Sequence, residues 1–191
     1  MWRKCRLCLS QALVLERHKR LSANELAASP AGIEIEFMRM KPHFPNDRYA
    51  SFAKFYDAVM GDRTGPAEYL HGLIRRTKPN ARKLLELACG TGSMLKHLGR
   101  YYEVSGIDLS RHMLSVARRK VPQAKLFQQN MVTFSLPERF DVICCVFDSI
   151  NHIAPFSDWK KLFANVQRHL LPGGCFIFDI NTQRKLDRHI A

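Results

Sequence analysis

The sequence lacks long hydrophobic runs and is poor in acidic residues. No apolar stretch in its 191 residues approaches the roughly 20 residues that span a bilayer, so we predict no transmembrane helix and no membrane partner. Lys and Arg number 30 against 17 Asp and Glu, which gives a formal net charge of +13. With 46% hydrophobic residues the chain can bury a core, so a wholly disordered protein is excluded.

The excess positive charge is spread along the chain, with short clusters at 75–76 and 118–120. Such a charge attracts polyanions and acidic substrates. No stripe of interleaved basic and aromatic residues accompanies it, so a solvated basic surface is the preferred interpretation. A nucleic-acid partner stays open but is not favoured.

The six cysteines do not have the spacing of a disulfide framework or of a zinc site. Cys5 and Cys8 form a CxxC pair, but no second pair follows it. The other four lie in or beside apolar segments, where cysteine acts as a small buried hydrophobic residue. The sequence therefore predicts no metal site and suits a reducing compartment, which we take to be the cytoplasm.

The first 80 residues divide into an extension and a helical segment. Prolines and glycines break up residues 29–47, which indicates a linker, and the basic, apolar stretch before it favours a poorly ordered or helical extension. From residue 49 apolar residues recur at helical spacing, with Gly61 ending the first run and Pro66 near the start of the second. We therefore expect a helical cap over residues 49–80.

Between residues 81 and 180, short apolar runs alternate with amphipathic stretches. The predicted strands are 83–88, 103–107, 124–128, 140–146 and 175–180, and the predicted helices are 93–100, 110–120 and 157–170. Alternating units of this size are typical of a parallel sheet with helices on both faces. The predicted fold is therefore α/β, with a Rossmann-like, doubly wound and mostly parallel sheet of five strands.

The first predicted core strand ends in a glycine-rich turn. Gly90 and Gly92 permit unusual backbone angles and let a ligand lie against bare backbone. In an open α/β sheet, ligands bind at this end of the strands. A dinucleotide site would have a third glycine where Leu95 stands, and it has no use for the acid Glu86 inside the strand. The turn thus disfavours NAD and favours a cationic ligand.

An acidic residue, Asp108, ends the next predicted strand. A carboxylate at that place accepts hydrogen bonds from both ribose hydroxyls of a nucleoside. The structural alternative is a surface acid near a helix N-terminus. The acid and the glycine-rich turn together favour a nucleoside ligand more strongly than either feature does alone.

These motifs resemble those of the class I S-adenosylmethionine-dependent methyltransferases. Residues 86–93, Glu-Leu-Ala-Cys-Gly-Thr-Gly-Ser, resemble the first motif of that family, and residues 106–110, Gly-Ile-Asp-Leu-Ser, resemble the second. Further similar segments are 129–131, 140–152 and 170–174. The resemblance covers residues 84–180, with the motifs in the family's order, and it implies S-adenosylmethionine as cofactor.

The resemblance also implies roles for individual residues. Glu86 and Ala88 would line the amino-acid end of the cofactor, and Asp108 would hold its ribose. Asn130 would hydrogen-bond the adenine, although the family more often has Asp there. The full implied cofactor set is Glu86, Ala88, Cys89, Gly90, Gly92, Asp108, Leu109, Met113, Asn130 and Met131.

The segment after the fourth core strand bears on the methyl acceptor. Its sequence at 146–149, Val-Phe-Asp-Ser, lacks the Pro-Pro-aromatic tetrapeptide of enzymes that methylate base amines, whereas ribose and protein acceptors remain open. Asp148 and His152 are expected at the mouth of the pocket, as a general base or as holders of a substrate amine or hydroxyl. A loop cap and a packed histidine are their structural alternatives. Tyr49 and Tyr56 are further candidates, with packing the preferred role.

The sequence therefore predicts a methyltransferase that acts on a nitrogen or oxygen atom of a small molecule. The alternatives are an RNA or protein methyltransferase and a truncated, non-catalytic binding module. We divide the chain into an extension at 1–48 and a methyltransferase domain at 49–191, with its cofactor-binding core at 81–180. Family members continue past the fifth strand with further strands, so we expect a shortened C-terminus and an uncovered sheet edge.

Overall fold

A computed structural model describes residues 2–6, 12–17, 47 and 49–181 of the chain. For the first two of these ranges it gives the course of the backbone. Residues 29–46 of the predicted linker, Cys8 of the Cys5–Cys8 pair and the predicted continuation beyond residue 181 lie outside the described residues.

Within the described residues, seven strands form one sheet. The strands are β1 (Trp2–Arg6), β2 (Ala12–Arg17), β3 (Lys83–Leu87), β4 (Glu103–Asp108), β5 (Lys125–Gln128), β6 (Phe140–Cys145) and β7 (Leu170–Ile180). Their order is β1-β2-β7-β6-β3-β4-β5, and every neighbouring pair except β1 and β2 runs parallel. The five strands from β3 to β7 are the predicted Rossmann-like core.

The helices of the cap and of the core lie close to their predicted places, apart from the start of the first one. They are α1 (Tyr56–Met60), α2 (Thr64–Thr77), α3 (Ser93–Leu98), α4 (Arg111–Lys120) and α5 (Phe156–His169), with a 3-10 helix at Ser149–His152. The hydroxyl of Ser110 accepts a hydrogen bond from the Met113 N–H at 3.1 Å, so Ser110 caps α4. The first cap helix is shorter than predicted, because residues 49–55 form turns before α1 begins.

The core consists of two apolar layers, one on each face of the sheet. On one face Leu84 of β3 packs with residues of α2, α3 and α4, and on the other face Leu85 packs with residues of α5. Successive strand residues point to opposite faces, and both faces of β3 are buried. Helices therefore cover both faces, as predicted for a doubly wound fold. Among the described residues, no helix is long and apolar enough to cross a membrane.

The two N-terminal strands differ from the predicted extension, which was poorly ordered or helical. β2 pairs in parallel with β7, in a register that runs from Ala12–Phe176 to Glu16–Ile180, and β1 folds back antiparallel to β2. A short apolar run cannot be assigned to helix or strand by periodicity alone, which is why the prediction missed these strands. Their pairing covers the edge of β7 that the sequence analysis left uncovered.

Candidate active site

The turn after β3 contains three residues in the left-handed region. They are Ala88, Gly90 and Gly92, with φ of 54°, 54° and 74°. A Cβ built on Gly90 meets nothing within 4 Å, so the backbone there borders open space. A Cβ on Gly92 would lie 3.2 Å from the Cβ of Ala117. Gly90 thus leaves room for a ligand, whereas Gly92 allows the turn to pack closely against α4.

Asp108 faces this turn from the end of β4. Its Oδ2 accepts the N–H of Gly90 and its Oδ1 accepts the N–H of Ser110, both at 2.8 Å. Burial raises the pKa of Asp108, and these backbone hydrogen bonds offset only part of that rise. The two features that the sequence analysis combined therefore lie at one place in the structure.

Glu86 is a buried acid inside β3. It is only 3% exposed, and its Oε2 has no hydrogen-bond partner among the described residues. Burial raises the pKa of Glu86 well above its usual value, the charge of Asp108 adds to the rise, and Arg63 opposes it. A buried carboxyl group with an unpaired oxygen beside a second acid favours a cationic ligand.

Arg63, at the start of α2, was not singled out from the sequence. Its guanidinium lies over the ring of Phe147, 3.9 Å from the ring centroid. The positive charge of Arg63 lowers the pKa of Glu86 and of the cap residue Tyr56, against the larger effect of burial, which raises both. Arg63 therefore places a cation in a site that is otherwise acidic.

The cap is held to the glycine-rich turn by Asp57 of α1. Asp57 Oδ1 accepts hydrogen bonds from Thr91 Oγ1 at 2.6 Å and Ser93 Oγ at 2.7 Å, and Asp57 Oδ2 pairs with Lys120. Burial raises the pKa of Asp57, but the hydrogen bonds from Lys120, Thr91 and Ser93 outweigh it, so the pKa is lowered. No local motif joins residues so far apart in sequence, so the prediction missed this network.

A second carboxylate fixes the start of the cap segment. Asp47 Oδ2 lies 2.6 Å from Ser110 Oγ and 2.7 Å from His112 Nδ1, at the beginning of α4. Tyr49 donates its N–H to Asp47 Oδ1 at 3.0 Å. Burial raises the pKa of Asp47, but the hydrogen bonds from Ser110, His112 and Tyr49 lower it to about 2. The cap is therefore anchored both at the glycine-rich turn, through Asp57, and at the start of α4, through Asp47.

The aromatic residues of the cap contact each other edge to face. Tyr49 and Phe52 each pack against Tyr56, with ring centroids 6.2 and 5.8 Å apart. Burial raises the pKa of Tyr56, and the charge of Asp108 contributes to that rise. The packing role preferred for Tyr49 and Tyr56 therefore agrees with these contacts.

The predicted catalytic pair lies at the two ends of the 3-10 helix after β6. Asp148 is half-buried, has φ of 63° and precedes the first residue of this helix, whereas His152 is exposed at its end. Asp179, near the end of β7, accepts the N–H of Phe147 and of Asp148. Asp179 is buried, and no motif of the sequence indicated it.

Known proteins share both the sequence and the fold of this site. A profile of the methyltransferase domain family matches residues 84–174. A dTDP-3-amino-3,6-dideoxy-alpha-D-glucopyranose N,N-dimethyltransferase from Streptomyces fradiae is 37% identical over 138 residues, which cover 70% of this chain and 54% of that protein. The chain spans about half the length of the curated relatives it matches.

Two solved structures show the same arrangement. An amino pentose methyltransferase from Micromonospora echinaspora, solved with S-adenosylmethionine bound, superposes with a TM-score of 0.64 at 28% identity, over 73% of this chain and 60% of that one. An S-adenosylmethionine-dependent methyltransferase from Clostridium acetobutylicum superposes with a TM-score of 0.66 at 32% identity, over 76% and 62%. Residues 84–174 form a domain of the class I S-adenosylmethionine-dependent methyltransferases. The resemblance of its motifs to that family is confirmed.

In this methyltransferase domain, the remaining residues of the implied cofactor set differ in exposure. Leu109 is 55% exposed and open to a ligand, whereas Met113 is 2% exposed. Met113 therefore has no open surface for the predicted contact, because α4 turns its side chain inward. Asn130 is exposed, and its Oδ1 accepts the N–H of Val132 at 2.8 Å, while Met131 packs against the core layer of α5.

Cys89 also turns away from the open side of this methyltransferase site. It is 6% exposed, and a Cβ built on Gly106 would lie 2.7 Å from its Sγ. Burial raises the pKa of the Cys89 thiol well above its usual value. Its side chain therefore packs the turn against β4, and only its backbone is available to line the predicted pocket.

Proposed function

We propose that this methyltransferase binds S-adenosylmethionine at the carboxyl ends of β3 and β4 and transfers its methyl group to a nitrogen atom of a small molecule. The observation that carries this proposal is the buried Oε2 of Glu86, which has no hydrogen-bond partner among the described residues and is affected by the charge of Asp108, the acceptor of the Gly90 N–H. This arrangement provides two carboxyl groups, one of them fully buried, beside bare backbone, and a cationic nucleoside would stabilise their ionised form.

The charges of the site fit the charges of this cofactor. S-adenosylmethionine carries an ammonium, a carboxylate and a sulfonium group, together with a ribose that has two free hydroxyls. We assign its ammonium group to Glu86, its carboxylate to Arg63 and its ribose to Asp108. When ionised, Glu86 and Asp108 would place negative charge near the sulfonium. Arg63 would supply a positive charge for the carboxylate of the cofactor, which would otherwise be repelled by these two acids.

The residues of the chain then have simple tasks in the reaction. When bound, S-adenosylmethionine supplies a methyl carbon that is electrophilic because it is attached to positively charged sulfur. The acceptor nitrogen forms a bond to that carbon with its lone pair, while the carbon–sulfur bond breaks and its electron pair stays on sulfur. Asp148 would accept the proton that the nitrogen loses, and the cap would orient the reactants and exclude water.

Amino sugars are the first class of acceptor to test. Three curated relatives at 32–37% identity are named N,N-dimethyltransferases of dTDP-linked amino deoxysugars. A carboxylate such as Asp148 at the acceptor side suits an amine better than an uncharged hydroxyl. We also propose a cytoplasmic location, since the described thiols of Cys89, Cys144, Cys145 and Cys175 are free, which suits a reducing compartment.

Isothermal titration with S-adenosylhomocysteine tests the cofactor site. The wild type should bind, and Asp108→Ala and Gly90→Val should each weaken binding, since Val cannot easily adopt the left-handed angles of Gly90. Unchanged affinity in both variants would mean that the pocket is wrongly assigned. Transfer of label from S-[methyl-³H]adenosylmethionine to an amino sugar nucleotide then tests activity, and binding without transfer to any acceptor identifies a non-catalytic module.

A further inference from the structure

Two successive residues after β6 lie in the left-handed region of backbone space. They are Phe147 and Asp148, with φ of 61° and 63°. Residues with a Cβ rarely adopt these angles, because the Cβ crowds the carbonyl oxygen, and two in a row need support from their surroundings. The turn lies at the carboxyl end of β6, at the predicted acceptor side of the site.

The carboxylate of Asp179 supplies that support. Its Oδ2 accepts the Phe147 N–H at 3.1 Å and its Oδ1 accepts the Asp148 N–H at 2.9 Å. Cys145 of β6 is paired with Phe178 of β7, so Asp179 follows directly opposite the turn. Asp179 is 3% exposed, which shields these two hydrogen bonds from competing water.

The turn places two groups that the proposed reaction needs. Phe147 carries the guanidinium of Arg63 on its ring, and Arg63 is the residue we assign to the carboxylate of the cofactor. Asp148 is brought to the start of the 3-10 helix, where its carbonyl oxygen accepts the Asn151 N–H at 3.0 Å. Both groups therefore depend on the angles that Asp179 maintains.

We infer that Asp179 is a positioning residue for methyl transfer, which holds the Phe147–Asp148 turn in its left-handed form. This inference rests on the proposed function, since it gives the turn its task. An ionised carboxylate accepts two N–H groups, one on each oxygen. A side-chain amide has only one oxygen, so its NH₂ group would face one of the two backbone N–H groups, and two donors cannot form a hydrogen bond. Asp179→Asn therefore keeps the size of the side chain and removes one support of the turn.

Tryptophan emission provides a readout close to this turn. The sequence has only two tryptophans, Trp2 and Trp159, so Trp2→Phe leaves Trp159 as the single reporter. The indole N–H of Trp159 donates to the carbonyl oxygen of Ile153 at 3.0 Å, immediately after the 3-10 helix. In this background Asp179→Asn should shift the Trp159 emission, and the Kd of S-adenosylhomocysteine should rise a few-fold, because Arg63 loses part of the support of the Phe147 ring.

Asp141→Asn is the matched control for this variant. Asp141 Oδ2 accepts the N–H groups of Arg82 and Lys83 at 2.9 and 3.0 Å, at the opposite end of the sheet. In Asp141→Asn, one of these two backbone N–H groups also loses its carboxylate acceptor. We expect no change in the emission of Trp159, because Asp141 does not contact the Phe147–Asp148 turn. Labelled methyl transfer to a dTDP-linked 3-amino-3,6-dideoxyglucose should fall at least about tenfold in kcat with Asp179→Asn and stay unchanged with Asp141→Asn.

Amide hydrogen exchange of the wild type decides the inference even if Asp179→Asn does not fold. The N–H groups of Phe147 and Asp148 should exchange more slowly than that of exposed His152. Rapid exchange of both amides, or a folded Asp179→Asn with wild-type emission and wild-type kcat, would overturn the inference. Failure of the wild type to bind S-adenosylhomocysteine would instead refute the proposed function, while slow exchange would still show that Asp179 holds the turn.

Discussion

The N–H of Gly90 donates a hydrogen bond to Asp108 Oδ2 at 2.8 Å and so joins the ends of β3 and β4. The Ser110 N–H fixes the other oxygen of the carboxylate at the same distance. An ionised carboxylate has about four lone-pair sites, so two amide donors leave room for two hydroxyl donors. Asp108 is therefore oriented before a ligand arrives, with acceptor capacity left for a ribose.

Asp108→Ala should raise the Kd of S-adenosylhomocysteine by about 10- to 100-fold. Hydrogen bonds to a charged group contribute about 1.5–3 kcal/mol each, and the variant removes the acceptor that we assign to the ribose. Isothermal titration measures the effect. Asp141→Ala is the matched control, because it also removes a carboxylate that accepts two backbone amides and should leave the Kd unchanged. Equal losses in the two variants would contradict the assignment of the ribose to Asp108.

Glu86→Gln should stabilise the free protein at neutral pH and weaken cofactor binding. The folded-state pKa of Glu86 is raised, so its stabilising contribution is complete below the unfolded pKa and is lost as the pH rises through the folded pKa. Gln carries no titratable proton, so the variant does not lose stability as the pH rises. A gain of about 1 kcal/mol in the free energy of unfolding would raise the Tm by about 2–4 °C.

Thermal unfolding of wild type and Glu86→Gln across pH checks this expectation. The advantage of Glu86→Gln should shrink as the pH falls toward the unfolded pKa of a glutamate, near 4.5. Glu138→Gln serves as a control, because Glu138 is paired with Lys83 and Lys125 and its pKa is lowered. A pH-independent difference between Glu86→Gln and wild type would contradict the expected protonation of Glu86.

The sequence predicted the core well because its signals are local. A buried strand, a glycine-rich turn and a capped helix each depend on neighbouring residues, so the ends of β3, β6 and α4 fall within one or two residues of their predicted places. The same holds for Gly90 and Asp108, which are positioned by two adjacent parallel strands. The β-α-β pattern was therefore sufficient to bring these two residues together.

The supporting residues of the site could not be predicted in this way. Asp57, Arg63 and Asp179 act through contacts with residues that are distant in sequence, and no local spacing reveals them. The ligand contact of Met113 stays a prediction that the family resemblance implied, and in the structure this side chain is buried on α4. Side-chain direction on a helix depends on tertiary packing as well as on spacing.

Asp57→Asn should loosen the cap and weaken cofactor binding about three- to tenfold. The variant removes the charge that pairs with Lys120 and weakens the acceptor shared by Thr91 and Ser93, so the glycine-rich turn loses a support without losing a direct cofactor contact. Titration with S-adenosylhomocysteine and limited proteolysis of the cap measure the two effects. Asp158→Asn, which breaks the exposed Asp158–Lys161 pair of α5, should change neither of them.

Lys120→Met tests the same network from its other end. It should reproduce the loss of affinity of Asp57→Asn, and the double variant should lose little more, because the two side chains share one interaction. Additive losses in the double variant would show that Asp57 and Lys120 act independently.

Asp47→Asn should reduce the free energy of unfolding at neutral pH, because it removes the charge that accepts hydrogen bonds from Ser110 and His112. The loss should be only about 1 kcal/mol, since solvent screens the partly exposed carboxylate. The folded pKa of Asp47 is about 2, below its ordinary value of 3.8. Its contribution is therefore present above pH 3.8 and is lost as the pH falls toward 2. Urea unfolding should show the difference between wild type and Asp47→Asn narrowing over that range, and a difference that persists at the acidic end would contradict the assignment.

Asp148→Asn should slow methyl transfer by about 100-fold or more and leave cofactor binding unchanged. General base catalysis contributes about 10²- to 10⁴-fold, and Asn removes the proton acceptor while it tolerates the left-handed angles of this position. His152→Ala should cost less, because His152 is exposed at the far end of the 3-10 helix. Single-turnover transfer of label to the amino sugar nucleotide, with S-adenosylhomocysteine titration in parallel, separates the two steps. If His152→Ala abolishes transfer while Asp148→Asn retains it, then His152 is the base and Asp148 only caps the loop.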